Sequence, residues 1–482
     1  MRFTSIILTL VMLFLVSCAA IPNADAETTT TAAAEIEEIP AVDYGGYKFT
    51  FLVSVNATLA SLIWNDFHAE EETGDVINDA VFRRNTFIED KYNIKINDIV
   101  REHNEGRERQ GTVDLIKKSI AAGDNDYDAV MLGGYGACIA GLEGLLRDLN
   151  DMPPIDLTKR YWDQNANRDL MIKGKMFYTT GSISNIANEC TYAILFNKKL
   201  VEDYELPNLY EIVKNGQWTY EKFIQIASMV SADLNGDSKF DENDLYGALV
   251  WGDTMLSVIN SIGEKCAYLD KDGQIQLSLY NERAIRSFEM FMDFLFDKTK
   301  AFGYQHQIGD WSGTVANNMF TNNQALFYLQ TMELVVRLRA METDFGVLPY
   351  PKLDVTQPQY YNPISAWGIG FICVPLVQED SVRTATILEA MAAESLNTLQ
   401  PAYYEIALKG KFIRDLESEE MLDLIFSTRI YDLGWLYQIG NYFAEMMYFY
   451  YYGNRDFSSM FEKNRPIAEA DIETINAAFA GS

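Results

Sequence analysis

The residue order predicts an α/β protein of two lobes, and three observations carry that expectation. The chain has 482 residues, 48% hydrophobic and 22% charged, ample for a large core and too long for one ordinary domain. Strand-like and helix-like stretches alternate from Tyr47 to Leu132, the pattern of a mainly parallel sheet with covering helices. A second unit of the same kind begins near Glu189.

The chain opens on an address. Arg2 supplies a positive charge and Ile6 to Val16 is an apolar run, about half the length needed to cross a bilayer. It ends at Leu15-Val16-Ser17-Cys18. A Leu, small or apolar residues and then Cys resembles the lipobox of bacterial lipoproteins, which implies cleavage before Cys18 and lipid on its sulfur. Residues 1–18 thus read as a lipoprotein signal peptide. Residues 19–44 are rich in Thr, Ala and Glu with neither strand alternation nor a capped helical stripe, and read as a solvated tether. No later apolar stretch is long enough to span a membrane, so the expected protein is anchored, not spanning.

Tyr47 to Val53 reads as a strand. Asp75 to Lys91 reads as a helix whose apolar residues Ile77, Val81, Phe87 and Ile88 recur at roughly helical intervals. A strand follows at Ile94 to Val100, then a helix at Val113 to Ala122 and a buried strand at Tyr127 to Leu132. Gly133-Gly134-Tyr135-Gly136 stands at the carboxyl end of that strand, where ligands bind in such sheets, and equally suits a plain strand-to-helix turn. It lacks the lysine and spacing of a phosphate loop. In the second unit Thr191 to Phe196 is a strand and Asn197 opens a turn and helix. Thr219 caps a helix that buries Phe223, Ile226, Ala227 and Val230, and Gln324 to Tyr328 is another strand.

Charge and composition exclude several functions. The net charge of -30 repels phosphate backbones, so nucleic acid is no partner. The three histidines, His68, His103 and His306, form no metal or triad spacing, and Gly-x-Ser-x-Gly is absent. Paired acids could be picked at will from 69 carboxylates, so they do not argue for an enzyme. Cys138, Cys190, Cys266 and Cys373 show no close pairing and read as buried thiols.

The sharpest local motif is Asp233-Leu234-Asn235-Gly236-Asp237-Ser238-Lys239-Phe240-Asp241-Glu242-Asn243-Asp244. Oxygens from Asp233, Asn235, Asp237, the Lys239 carbonyl, Asp241 and Asp244 recur at a spacing that resembles the calcium loops of dockerins and EF-hands. A hard cation takes about six to eight such oxygens. Ser238 stands where glycine normally makes the sharp turn, and Asp244 ends the loop with a short arm. A solvated acidic turn is the other reading, and calcium here would be structural.

From about residue 45 onward the stretches NKKLVEDYELP, NGQWTYEKF, NNQALFYLQTME, DFGVLPYPKLD and QPAYYEIALKGKFIRDLESEEMLDLI follow in order. In that order, behind a lipobox, they resemble bacterial extracellular solute-binding proteins of the maltodextrin-binding type. The resemblance implies a two-lobe periplasmic-binding-protein-like class II fold with a hinge and an interlobe cleft. Lobe 1 would take 45–188 and 367–412, and lobe 2 would take 189–366 and 413–482. It implies a lipid-anchored monomer on the outer face of the cell membrane that captures a mono- or oligosaccharide for an ABC importer. A ligand-presenting sensor for a membrane receptor, or a surface glycan-binding lipoprotein, is the alternative. Sugar sites join aromatic platforms to carboxylates and amides. The candidates are Trp367, Glu189, Trp64, Tyr135, Trp251, Trp311, Met332, Glu333 and Tyr361. Glu189 and Trp367 are set at the crossovers. Relatives carry a stacking tryptophan where this chain has Met332.

Overall fold

The structure, a computed structural model, describes residues 39–56, 66–103, 110–338, 341–409 and 416–480. Cys18 and Trp64, with most of the proposed tether, lie outside the described residues.

The first sheet is built on β1 (Tyr47–Asn56), β2 (Ile94–His103) and β3 (Ala129–Gly133). β1 lies in the middle, parallel to both neighbours, as a strand with Phe49, Phe51, Leu52 and Val53 all buried must. The fourth strand, Gly370–Cys373, returns from far along the chain and pairs antiparallel to β3. Helix α1 (Val76–Tyr92) begins where the Asp75 carboxylate accepts the backbone N–H groups of Ile77 and Asn78, and ends on Asn93 in the left-handed region. It buries Val81 and Ile88. Phe87, expected on the same stripe, is 48% exposed and lies beside the Lys91 ammonium. At about 100° per residue it cannot share the face of both Val81 and Ile88, and Arg84 takes its place inside. The Arg84 guanidinium is satisfied by the carbonyls of Asp66 and Ile183 and the Ser395 hydroxyl.

Helix α2 (Gly111–Ala122) precedes β3. Gly133 to Gly136 are a strand-to-helix turn: β3 passes directly into helix α3 (Gly134–Leu142). Any side chain at Gly134 would strike Ile369 and Leu436, so close helix packing explains this glycine. Helix α4 (Gln164–Leu170) starts on the Asp163 carboxylate, which accepts from the N–H groups of Asn165 and Ala166.

The second sheet holds β4 (Tyr192–Asn197), β5 (Tyr246–Val250) and the strands Ala301–Gly303, Ala325–Thr331 and Phe345–Leu348. It is mixed. β5 runs parallel to Ala301–Gly303 and Ala325–Thr331, whereas β4 runs antiparallel to both of its neighbours. Thr219 caps the helix Tyr220–Ala227 through the Lys222 N–H, and Phe223, Ile226 and Ala227 are buried; Val230 is buried just past its end.

The chain passes between the sheets three times, side by side. Helix α5 (Ile186–Glu189) leads into Cys190 and Thr191, which bond to Ile364 and Ser365. Asn362–Pro363 pairs in turn with Arg429–Ile430. Arg429 fastens all three passes. Its guanidinium reaches Asp163 at 3.1 Å, the Thr191 hydroxyl at 3.0 Å and the Asn188 side-chain oxygen. The helix Tyr442–Tyr452 reaches the end of β5, where the Tyr450 hydroxyl donates to the Val250 carbonyl at 3.3 Å, and the helix Phe457–Ala478 follows it. The C-terminal region also touches the first half: Tyr437 bonds Tyr178 at 2.8 Å, and Phe479 packs on Phe177. Cys138, Cys190, Cys266 and Cys373 are all buried free thiols.

Candidate ligand cavity

β5, Ala301–Gly303 and Ala325–Thr331 are parallel, so their carboxyl ends meet at one edge of the second sheet, where open α/β sheets bind ligands. Trp251 and Tyr304, the residues that follow the first two of these strands, and Thr331, the last residue of the third, all line a cavity of about 640 Å³. The helix Glu333–Arg337 adds Glu333 and Arg337, the crossing segment adds Cys190, Ser365 and Trp367, and the helix Tyr442–Tyr452 adds Tyr451. A larger open groove of about 840 Å³ runs between residues 150–174 and 269–273. It holds no aromatic ring, and its amides Gln164 and Asn167 are already bonded to backbone carbonyls. The smaller cavity has the chemistry of a ligand site.

Its rings are held in place by their own polar ends. Trp251 is tilted against Tyr192, whose hydroxyl donates to Asp253 at 2.9 Å. Trp311, 68% exposed, leans on Tyr451 with centroids 5.3 Å apart. Tyr328 donates to Asn317 at 3.0 Å, and Gln330 donates to Tyr304 at 3.3 Å. Glu333 pairs with Arg337 at 2.5 Å across one helical turn. The Trp251 indole N–H is different. It is shut off from solvent and has no acceptor among the described residues.

The structure thus brings Trp251, Trp311, Glu333 and Trp367 into one cavity. Glu189, at the end of α5, does not line it. Burial pushes its carboxyl well above the usual range, and the charges of Asp66 and Glu333 push it further. Three more of the candidates do not line the cavity either. Tyr135 is buried at the start of α3, edge-on to Phe443. Met332 is fully buried. Tyr361 is half-buried beside Gly263. Asp253, Gln330, Arg337 and Tyr451 line it unforeseen. Only the aromatic run of residues 442–452 could have hinted at Tyr451.

In the loop 233–244 the four aspartates are folded onto backbone. Asp233 accepts the N–H groups of Gly236 and Ser238, Asp237 that of Lys239 and Asp241 that of Asn243. Buried Asp244 accepts from Leu234 and Asp241 and so ties both ends together. Ser238 takes the left-handed turn itself at φ 63°. Among the described residues no group of three His, Cys, Asp or Glu side chains converges as a metal centre.

No family model and no curated protein matches the chain. Solved structures do. The sugar-binding protein MalE from Xanthomonas citri superposes with a TM-score of 0.58 at 11% identity, over 90% of this chain and 100% of that one. A cyclo/maltodextrin-binding protein in complex with maltotetraose gives 0.56 at 13%, over 89% and 98%. An ABC substrate-binding protein from Listeria monocytogenes in complex with cycloalternan gives 0.52 at 13%, over 91% and 100%. Almost the whole of each neighbour is matched and most of this chain is used. The chain therefore has the two-lobe α/β fold of these sugar-binding proteins.

Proposed function

We propose that this protein captures a carbohydrate and delivers it to an ABC importer, held to the outer face of the cell membrane by lipid on Cys18. The observation that carries the reading is the Trp251 indole N–H, buried in the lining of an aromatic cavity with no acceptor among the described residues. A buried donor left unmade costs about 1–3 kcal/mol, and a sugar hydroxyl is a fitting acceptor. Around it Trp311 and Trp367 offer ring faces for C–H surfaces, and Asp253, Gln330 and Glu333 offer groups for hydroxyls. The neighbours complexed with maltotetraose and cycloalternan support the same class of ligand. Among the described residues no helix is long and apolar enough to cross a membrane, so lipid on Cys18 would supply the attachment. Function as a binding protein needs no catalytic group, and none is assigned.

The loop 233–244 is proposed to hold a structural calcium ion. Its groups supply oxygen only, which suits a hard cation, and a charge of this size would offset the repulsion among its carboxylates.

The full chain is to be screened against mono- and oligosaccharides by melting temperature. A ligand at about a hundred times its Kd stabilises by about 2.7 kcal/mol. At least one saccharide should raise the melting temperature, and Trp251→Phe, which keeps a ring and loses the N–H, should weaken that response. A screen in which no saccharide shifts the parent protein would overturn the reading.

A further inference from the structure

From the two ends of the cavity we infer that the captured carbohydrate is an oligosaccharide rather than a single sugar, with an outer unit stacked on Trp311 at the mouth. The inference rests on the carbohydrate reading and names the size class of its ligand.

The cavity joins two unlike places. At one, the Trp251 indole N–H is shut off from solvent and has no acceptor among the described residues. At the other, Trp311 lines the same cavity yet is 68% exposed, whereas Trp251 and Trp367 are half-buried. The volume of about 640 Å³ is in the range that encloses a ligand larger than one hexose. Tyr451 links the two ends. The Gln305 side-chain oxygen accepts the Gly252 N–H at 3.0 Å and the Tyr451 hydroxyl at 3.5 Å, and the Tyr451 ring meets Trp311 with centroids 5.3 Å apart. Lining thus runs from the neighbour of Trp251 out to an exposed ring.

An indole this exposed adds little to packing, yet the turn that carries it is held firmly. The buried Asp310 carboxylate accepts the N–H groups of Thr314, Val315 and Ala316 and the Ser312 hydroxyl. The Trp311 N–H donates to the Gly309 carbonyl at 3.0 Å, and Gly309 and Gly313 take left-handed φ values of 69° and 70° at either side. A firm turn that offers a ring face at a cavity mouth is a prepared stacking surface. The flat C–H face of a pyranose fits an indole, and a sugar chain uses both ends at once. One unit gives a hydroxyl to the Trp251 N–H inside, and a later unit lies on Trp311 with its far side in water.

The test is calorimetric binding to the full chain, parent against Trp311→Ala, over a homologous series. Glucose to maltotetraose comes first, then the same lengths of whichever saccharide best stabilises the parent. Parent affinity should rise from the monosaccharide to the longer members. The deficit of Trp311→Ala should grow with length and reach about tenfold for the longest, and Trp311→Phe, which keeps a smaller ring, should recover part of it. Partial misfolding cannot produce a deficit that depends on length. A parent that binds the monosaccharide as tightly as any longer member overturns the inference and leaves the carbohydrate reading intact. So does a Trp311→Ala deficit that is absent or equal at every length, as follows if the ring serves a partner protein or the inner sugar. A parent that binds no saccharide would sink the underlying reading instead.

Discussion

Arg429 is the side chain whose loss should loosen the crossing most. Both it and Asp163 are nearly buried, and the pair is joined at 3.1 Å. Arg429→Leu would keep most of the stem's packing and leave three groups short of a partner: the Asp163 carboxylate, the Thr191 hydroxyl and the Asn188 oxygen. Removing one member of a buried ion pair costs about 3–5 kcal/mol. Asp163 keeps the Tyr431 hydroxyl at 2.9 Å and its two capping N–H groups, which places the expected loss near the lower end. At about 1 °C per kcal/mol for a chain of this size, the melting temperature should fall by about 3 °C. Calorimetry of the parent, Arg429→Leu, Asp163→Asn and the double variant closes the cycle. Asparagine still caps α4, so the double change should cost less than the sum of the singles. A melting temperature for Arg429→Leu equal to the parent's would refute the reasoning.

Two further outcomes are expected. Glu189 has a carboxyl held above its ordinary value of 4.5 in the folded chain, so the folded state retains a proton that the unfolded state releases. Stability is therefore lost as pH rises from that ordinary value toward the folded one. Glu189→Gln should match the parent in acid and be more stable near neutral pH, and an equal pH profile for the two in urea unfolding would contradict this. Calcium should raise the melting temperature of the full chain, and Asp233→Ala with Asp237→Ala should abolish the rise; no response to calcium or to a chelator would favour a loop held by its own turns.

Much of the scaffold could be read from the residues because short-range rules decide it. The β1 run of buried Phe, Leu and Val, the Asp75 start of α1 and the Thr219 cap each act within a few positions. What escaped reading depends on distant partners. Nothing near Phe345–Leu348 shows that it runs antiparallel to β4, because the register is set by strands far along the chain. Ring-rich positions also do not reveal their surroundings. Trp251, Trp311 and Trp367 reach the cavity, whereas Tyr135 is covered by Phe443 from the C-terminal region. The unpartnered Trp251 N–H carries no signal in the sequence either, since a missing acceptor among the described residues is visible only once the neighbours are in place.

The late return of Gly370–Cys373 to the side of β3 governs when the molecule can become itself. During synthesis β1, β2 and β3 emerge early and must wait, with one edge of β3 open, for a strand made much later. Arg429 and the helices ending at Ala478 arrive later still. Neither half can lock before most of the chain exists, and pairings so distant in sequence close slowly. A polypeptide that has to be threaded through a narrow channel before it folds gains from that delay, because no premature core forms to jam the passage.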